Sequence, residues 1–218
     1  MEPVRVGVIG CGVIGAGAHL PEAALSPLVK VVAVADLLPE RVRAAAEKFN
    51  IAKSYASGEA LLDDPAVEAV ALAMPTGVRT PLALKALEKK KHVLLEKPAA
   101  CNLGELHALM KARGNRVVAC CSPRFRAMPS AKLAAECVAS GALGELRVVR
   151  IRALIAAAKE PASPPPPWRV SHKLNGGGIL VNWGCYDLDY MLGIMGWRLE
   201  PERVSAQAWA LAPHLKSR

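Results

Sequence analysis

The sequence predicts an α/β fold: a doubly wound parallel sheet over residues 1–121, then an α/β open-sheet region over 122–218 that stops short of a complete sheet. Three observations carry this. β-rich apolar runs alternate with helical stretches along the first region, at the spacing of right-handed βαβ crossovers. The first run leads into a glycine-rich turn, Gly10–Gly15. A later run, His92–Leu95, ends at Glu96-Lys97-Pro98. A buried parallel strand reads as a near-continuous apolar run, and its last residues arrive at the carboxyl edge of the sheet, where ligands bind.

Val4–Ile9 is the first strand, followed by the turn and a helix over Gly17–Leu28. Val29–Ala35 is the second strand and ends at Asp36. Pro39 suits a first helical position, where its missing N–H would be unpaired anyway, and Arg41–Phe49 continues that helix. Glu59–Leu62 begins a short helix stopped near Asp63-Asp64-Pro65. Val67–Ala73 is a strand, Pro81–Lys89 a helix, and His92–Leu95 the strand that delivers Lys97. A helix over Leu103–Ala112 and a strand over Arg116–Cys121 complete the first region.

The pattern changes after residue 122. Pro129–Ser140 reads as a helix stopped by Gly141, and Glu145–Ile155 as a long alternating strand. Residues 159–167 contain five prolines and read as an extended surface segment. An apolar helical stretch follows over Ile179–Met195, then a short strand over Arg203–Leu211. Two strands cannot make the broad sheet that this much helix requires.

Apolar residues make up 52% of the 218, enough for a core, and two phenylalanines against four tryptophans leave that core mainly aliphatic. The net charge of +9 invites a nucleic-acid reading. The basic residues are scattered, however, with no aromatic-rich basic stretch and no basic helical stripe, so a solvated basic surface is expected and nucleic acid is not. Six cysteines lack C-x-x-C spacing and sit in apolar surroundings, as reduced buried thiols do. The five histidines show no metal-ligand spacing, so no metal is expected. Residues 6–18 are apolar but broken by five glycines, and no run approaches the ~20 apolar residues of a membrane span. A cytoplasmic location without membrane attachment is the expectation.

Gly10-Cys11-Gly12-Val13-Ile14-Gly15 matches G-x-G-x-x-G between a strand and a helix. The first glycine permits the tight turn, the second lets the backbone approach a pyrophosphate, and the third allows close helix–strand packing. The helix N-terminus adds amide donors for the phosphates. Asp36 ends the second strand where a carboxylate can accept from a ribose diol. A 2′-phosphate would be repelled there, and Leu37-Leu38 offers it no basic or hydroxyl partner, so NAD is preferred over NADP.

The chain resembles the Gfo/Idh/MocA oxidoreductases. The resemblance rests on GCGVIG, Asp36, Ala73-Met74-Pro75-Thr76, KHVLLEKP (91–98), Arg124-Phe125, SGALGEL (140–146), Trp168-Arg169 and GGGILVNWGCYDLD (176–189). It implies an N-terminal Rossmann domain and a second α/β domain whose open sheet often mediates homo-oligomerisation. It makes Lys97 the catalytic lysine of an E-K-P motif. It also implies an aspartate and, four residues on, a histidine or tyrosine as acid/base; here those positions hold Asn182 and Tyr186. Asn182 departs from the pattern by removing a charge, and Arg79 departs near a place where many members carry histidine. Gly10, Gly12, Val13, Ile14, Gly15, Asp36, Pro75, Thr76, Glu96, Lys97, Arg124, Trp168 and Arg169 are the implied cofactor-side residues.

The implied reaction is hydride transfer between a nicotinamide and a secondary alcohol of a sugar, polyol or related cyclic substrate. A free tyrosine titrates near ~10 and is a poor base at neutral pH. A nearby lysine ammonium would stabilise its phenolate. Asn182 can donate and accept hydrogen bonds but cannot act as a base. Asp189, one turn beyond Tyr186, is a further polar candidate or a structural partner. The competing reading is a cofactor-binding sensor without catalysis, which Asn182 motivates.

Overall fold

The computed structural model describes residues 2–154 and 165–208, and the chain divides into two compact units, 1–121 and 122–218. In the first unit six strands form one sheet, β1 (Val4–Ile9), β2 (Val29–Ala35), β3 (Lys53–Tyr55), β4 (Ala69–Leu72), β5 (His92–Leu95) and β6 (Val118–Cys120). All neighbouring pairs are parallel, in the order β3-β2-β1-β4-β5-β6. The strand order reverses between β1 and β4, and their carboxyl ends open the crevice where such sheets take ligands.

Strand alternation explains why both faces of the sheet are covered. Ile9, Val70, Leu72, Val93 and Leu95 point to one face and pack with Leu61, Leu62, Leu82, Ala83, Leu87 and Leu109. Those partners come from α3 (Gly58–Leu62), α4 (Thr76–Glu88) and α5 (Leu103–Ala112). Val8, Val34 and Ala71, each one residue out of phase, point to the other face and meet Leu20, Val42 and Ala45 from α1 (Leu20–Leu25) and α2 (Pro39–Phe49). Each fully buried leucine in these layers contributes roughly 1.5–3 kcal/mol of transfer free energy.

Three details of this unit differ from expectation. The edge strand β3 is polar and only three residues long, so neither apolar run nor alternation announces it. Helix α4 starts at Thr76, directly after Pro75, and carries the exposed Pro81 inside it rather than at its start. The helix after the glycine turn is not uniform: Gly15–His19 is a π-helical turn leading into α1, which ends at Leu25.

The second unit holds α6 (Pro129–Ala139), a 3₁₀ turn at Pro167–Val170, α7 (His172–Asn175), α8 (Ile179–Asn182) and α9 (Gly184–Ile194). The expected strand over Glu145–Ile155 does not form across residues 145–154, nor does the one over Arg203–Leu211 across 203–208. Residues 155–164 and 209–211 of these expectations, including most of the proline segment, lie outside the described residues. A strand needs a partner to satisfy its backbone, and no other strand is present among the described residues of this unit. The expected single helix over Ile179–Met195 is two helices. Trp183 interrupts it with φ −114°, and the N–H of Tyr186 donates to the Trp183 carbonyl three residues back instead of to residue 182. The side chain of Leu180 lies where a side chain on Gly184 would be, so the glycine permits this tight join.

Candidate cofactor and active site

The glycine turn is built for close backbone approach. Gly10 leaves β1 at φ +100°, and its N–H donates to the Ala35 carbonyl at 2.8 Å. A β-carbon there would strike the Ala73 carbonyl at the end of β4, and one on Gly15 would strike the Gly10 carbonyl. Gly10 and Gly15 are therefore required by the fold itself. Gly12 is different: a β-carbon would meet only Arg41 Nη1, at 3.6 Å. Only that flexible arginine end approaches the space over Gly12, which is the space a pyrophosphate would occupy. Beside it Val13 is 87% exposed and Ile14 47%, an uncovered apolar pair at the lip of the turn.

Asp36 stands where the sequence places it, after β2, and holds the turn through two backbone contacts. Its Oδ2 accepts the Cys11 N–H at 2.8 Å and its Oδ1 accepts the Leu38 N–H at 3.0 Å. A carboxylate has about four acceptor positions, so two remain for a ligand diol. Leu37 and Leu38 are exposed and supply no cation, as expected, but Arg41 brings a guanidinium over Gly12. The Cys11 thiol is buried, and desolvation together with the Asp36 charge pushes it up to about 11.

At the end of β5 the backbone is anchored by Arg79. This arginine is 2% exposed and donates to the carbonyls of Met74 (3.1 Å from Nη2), Pro98 (2.6 Å) and Glu96, and to Thr76 Oγ1 at 3.1 Å. It ties the loop after β4, with Pro75 and Thr76, to the Glu96-Lys97-Pro98 turn, whose Lys97–Pro98 peptide is cis. Burial lowers its pKa, while Cys120 and Glu96 oppose that shift. The Thr76 hydroxyl thus accepts from Arg79.

Glu96 is the hub of this edge. Its Oε1 lies 3.0 Å from His19 Nε2, and its Oε2 accepts the Lys97 N–H at 3.1 Å. Burial alone would raise its pKa. The hydrogen bond and charge of His19, the Lys97 N–H and Arg79 together hold it below the ordinary value. The Cys121 thiol also hydrogen-bonds Glu96 and is pushed up to about 12, chiefly by burial and then by the carboxylate charge. His19, Glu96 and Cys121 place their ligand atoms within 4.8 Å of one another. Histidine spacing along the chain does not reveal this cluster, because 77 residues separate His19 from Glu96. His19, the Lys97 N–H and the Cys121 thiol thus engage the carboxylate, while the Arg79 guanidinium binds the Glu96 backbone carbonyl.

Asn182, Tyr186, Arg124, Trp168 and Arg169 belong to the second unit, whereas Lys97 and the glycine turn belong to the first. Within the second unit Tyr186 is buried, with its ring 5.4 Å from Phe125 and 6.0 Å from Trp183. The Arg124 guanidinium lies 5.8 Å from the Tyr186 ring centroid, a cation over the tyrosine. Asn182 ends α8 and Tyr186 lies in α9, so the i, i+4 pair spans the break at Trp183. Asp189 pairs with Arg126 at 2.6 Å, which is the structural alternative for that residue. The Arg169 guanidinium lies 5.4 Å from the Trp168 ring centroid.

Residues 4–121 match the family described as "Oxidoreductase family, NAD-binding Rossmann fold", and residues 131–217 match the GFO/IDH/MocA C-terminal domain. Among curated relatives, an uncharacterized oxidoreductase of Rhizobium meliloti is 34% identical over 209 residues, covering 94% of this chain and 60% of the relative. Myo-inositol 2-dehydrogenase of Thermotoga maritima is 30% identical, covering 90% of this chain and 56% of that enzyme. Among solved structures, a 3-ketoreductase from Actinomadura kijaniata in complex with NADP and TDP-benzene superposes with a TM-score of 0.72 at 26% identity, covering 88% of this chain and 57% of that one. The chain spans a little over half the length of these relatives. No helix among the described residues is long and apolar enough to cross a membrane.

Proposed function

Because the chain belongs to the Gfo/Idh/MocA oxidoreductase family, we propose that it binds NAD and transfers hydride between the nicotinamide and a secondary alcohol of a sugar, polyol or related cyclic substrate. The observation that carries this is the open approach to Gly12, met only by the flexible end of Arg41, at the strand-order reversal and on the same sheet edge as Glu96 and Lys97. The similar inositol dehydrogenase and the Actinomadura kijaniata 3-ketoreductase, which is named for a dTDP-deoxyglucose substrate, support the substrate class. The bound nicotinamide would supply the hydride acceptor or donor.

This chain's residues supply the rest of the reading. Gly10, Gly12, Val13, Ile14 and Gly15 receive the pyrophosphate, and Asp36 accepts from the adenosine ribose. Pro75, Thr76 and Glu96 line the nicotinamide side, held there by Arg79 and His19. The Lys97 ammonium orients the substrate oxygen and stabilises negative charge on it or on a phenolate. Tyr186 takes or returns the hydroxyl proton, and Asn182 orients substrate by hydrogen bonds. Arg124, Trp168 and Arg169 complete the cofactor-side set. Homo-oligomerisation through the second unit belongs to the same reading, supported by the exposed apolar side chains of Val148, Val149 and Ile151.

The experiment is a titration of the purified chain with NADH and NADPH by fluorescence, followed by a polyol and sugar screen at the reduced-cofactor absorbance band. NADH binding with turnover that collapses in Lys97→Ala supports the assignment; unaltered turnover in that variant sinks it. Asn182, in place of an acidic residue, favours one second reading, a non-catalytic NAD sensor. Binding without turnover across the panel selects that reading.

A further inference from the structure

We infer that His19 is a positioning residue for the nicotinamide half of the cofactor, acting through Glu96; the inference rests on the cofactor-binding function proposed above. His19 is the last residue of the π-helical turn Gly15–His19, which begins at the final glycine of the phosphate turn. A π turn holds about 4.4 residues instead of 3.6, so it rotates the residues after it relative to an α-helix, and such turns recur at functional sites. Here that turn ends with His19 Nε2 placed 3.0 Å from Glu96 Oε1, at the end of β5. Both side chains are largely withdrawn from water, at 14% and 16% exposure.

The second carboxylate oxygen accepts the Lys97 N–H at 3.1 Å, so Glu96 links His19 directly to the backbone of the lysine. The segment that would receive the pyrophosphate and the turn that would meet the nicotinamide are thereby joined by one hydrogen-bonded bridge. A carboxylate held at both oxygens has one orientation; losing the histidine frees it to rotate and to release the Lys97 N–H. His19 has no need to touch the reacting atoms for this, since its effect passes through Glu96. The Cys121 thiol reaches the same carboxylate but, as a weak donor, cannot replace the imidazole.

The test compares NADH with ADP-ribose, which keeps both phosphates and the adenosine but lacks the nicotinamide ring. Dissociation constants are measured by calorimetry for the wild type, His19→Ala and His19→Gln, alongside their melting temperatures. His19→Ala should weaken NADH binding about tenfold, the loss expected when one charge-assisted hydrogen bond is removed. Its affinity for ADP-ribose should stay within about twofold of wild type on the same grounds. His19→Gln, which keeps a donor of similar reach, should recover most of the NADH affinity. Equal losses for both ligands would mean that His19 only supports the fold of the turn, and unchanged NADH binding would mean that it does nothing; either overturns the inference. A wild type that binds neither ligand overturns the proposed function and this inference with it. Wild-type binding with an unaffected His19→Ala variant overturns the inference alone.

Discussion

The carboxylate of Asp36 accepts the backbone N–H of Cys11 at 2.8 Å, so the residue proposed to bind a ribose also fixes the glycine turn proposed to receive the phosphates. Asp36→Ala should therefore weaken both NADH and ADP-ribose binding and lower stability by about 1.5–3 kcal/mol, the usual cost of a hydrogen bond lost to an ionised acceptor. Asp36→Asn retains an acceptor for the Cys11 N–H and should keep most of the stability while losing ligand affinity. Calorimetric titration with parallel denaturant melts separates the two effects.

The glycines of the turn should also separate. Gly15→Ala drives a β-carbon into the Gly10 carbonyl, and the chain should express poorly or melt well below wild type. Gly12→Ala meets only a flexible arginine end at 3.6 Å, so its melting temperature should change little. The same substitution fills the proposed phosphate space and should cut dinucleotide affinity at least tenfold, about 1.4 kcal/mol. If Gly12→Ala bound NADH normally, the phosphate assignment would be wrong.

Arg79→Met keeps the volume of a buried side chain but leaves the carbonyls of Met74, Glu96 and Pro98 without their donor. A loss of about 3 kcal/mol is expected, because unsatisfied buried acceptors cost roughly 1–3 kcal/mol each and the loops relax in part. Arg79→Lys should recover less than half, since a single ammonium cannot span both loops as the planar guanidinium does. The check is the urea midpoint at constant m value.

Acid sensitivity should trace in part to Asp64. Its carboxylate takes hydrogen bonds from Lys53, the Ala66 N–H and Tyr55 at 2.8–3.0 Å, which hold its pKa below the ordinary 3.8 despite opposing burial. A depressed folded-state pKa contributes stability that is complete above the unfolded value and disappears as pH falls through the folded one. Asp64→Asn should melt lower than wild type at pH 7, and the gap should narrow steadily below pH ~4. A constant gap across the acid range would contradict the assignment.

Thiol chemistry offers a further check on burial. Cys121 is pushed up to about 12 and Cys11 to about 11, each chiefly by desolvation. Both should resist alkylation at pH 8 in the folded chain and react on denaturation, because the thiolate is the nucleophile. Mass spectrometry of iodoacetamide-treated protein reads this directly. Rapid labelling of Cys121 would show that the Glu96 edge is open to solvent.

Local pattern alone made the nucleotide-binding half legible. The runs Val4–Ile9, Val29–Ala35 and His92–Leu95 form strands with those same limits, because consecutive apolar residues between turn signals suit a strand buried on both faces. GCGVIG, Asp36 and Glu96-Lys97-Pro98 could be placed because each lies within a few residues of a strand end. The expected strands over 145–155 and 203–211 failed on the opposite ground. Alternation describes a residue's two faces, but a strand is formed only by the neighbour that pairs with it, and among the described residues of the second unit there is none.

Neighbouring residues along the chain thus suffice for the alternating parallel strands and helices of the first unit, the glycine turn after β1 and the arrival of Lys97 just beyond β5. The tertiary structure alone decided that Arg79 is buried as the anchor of two loops, and that His19, Glu96 and Cys121 meet across the edge. The physical reason is separation along the chain. Helix periods, glycine turns and strand runs are set by neighbouring residues, whereas a hydrogen bond between residues 77 apart exists only once the sheet has brought their elements together.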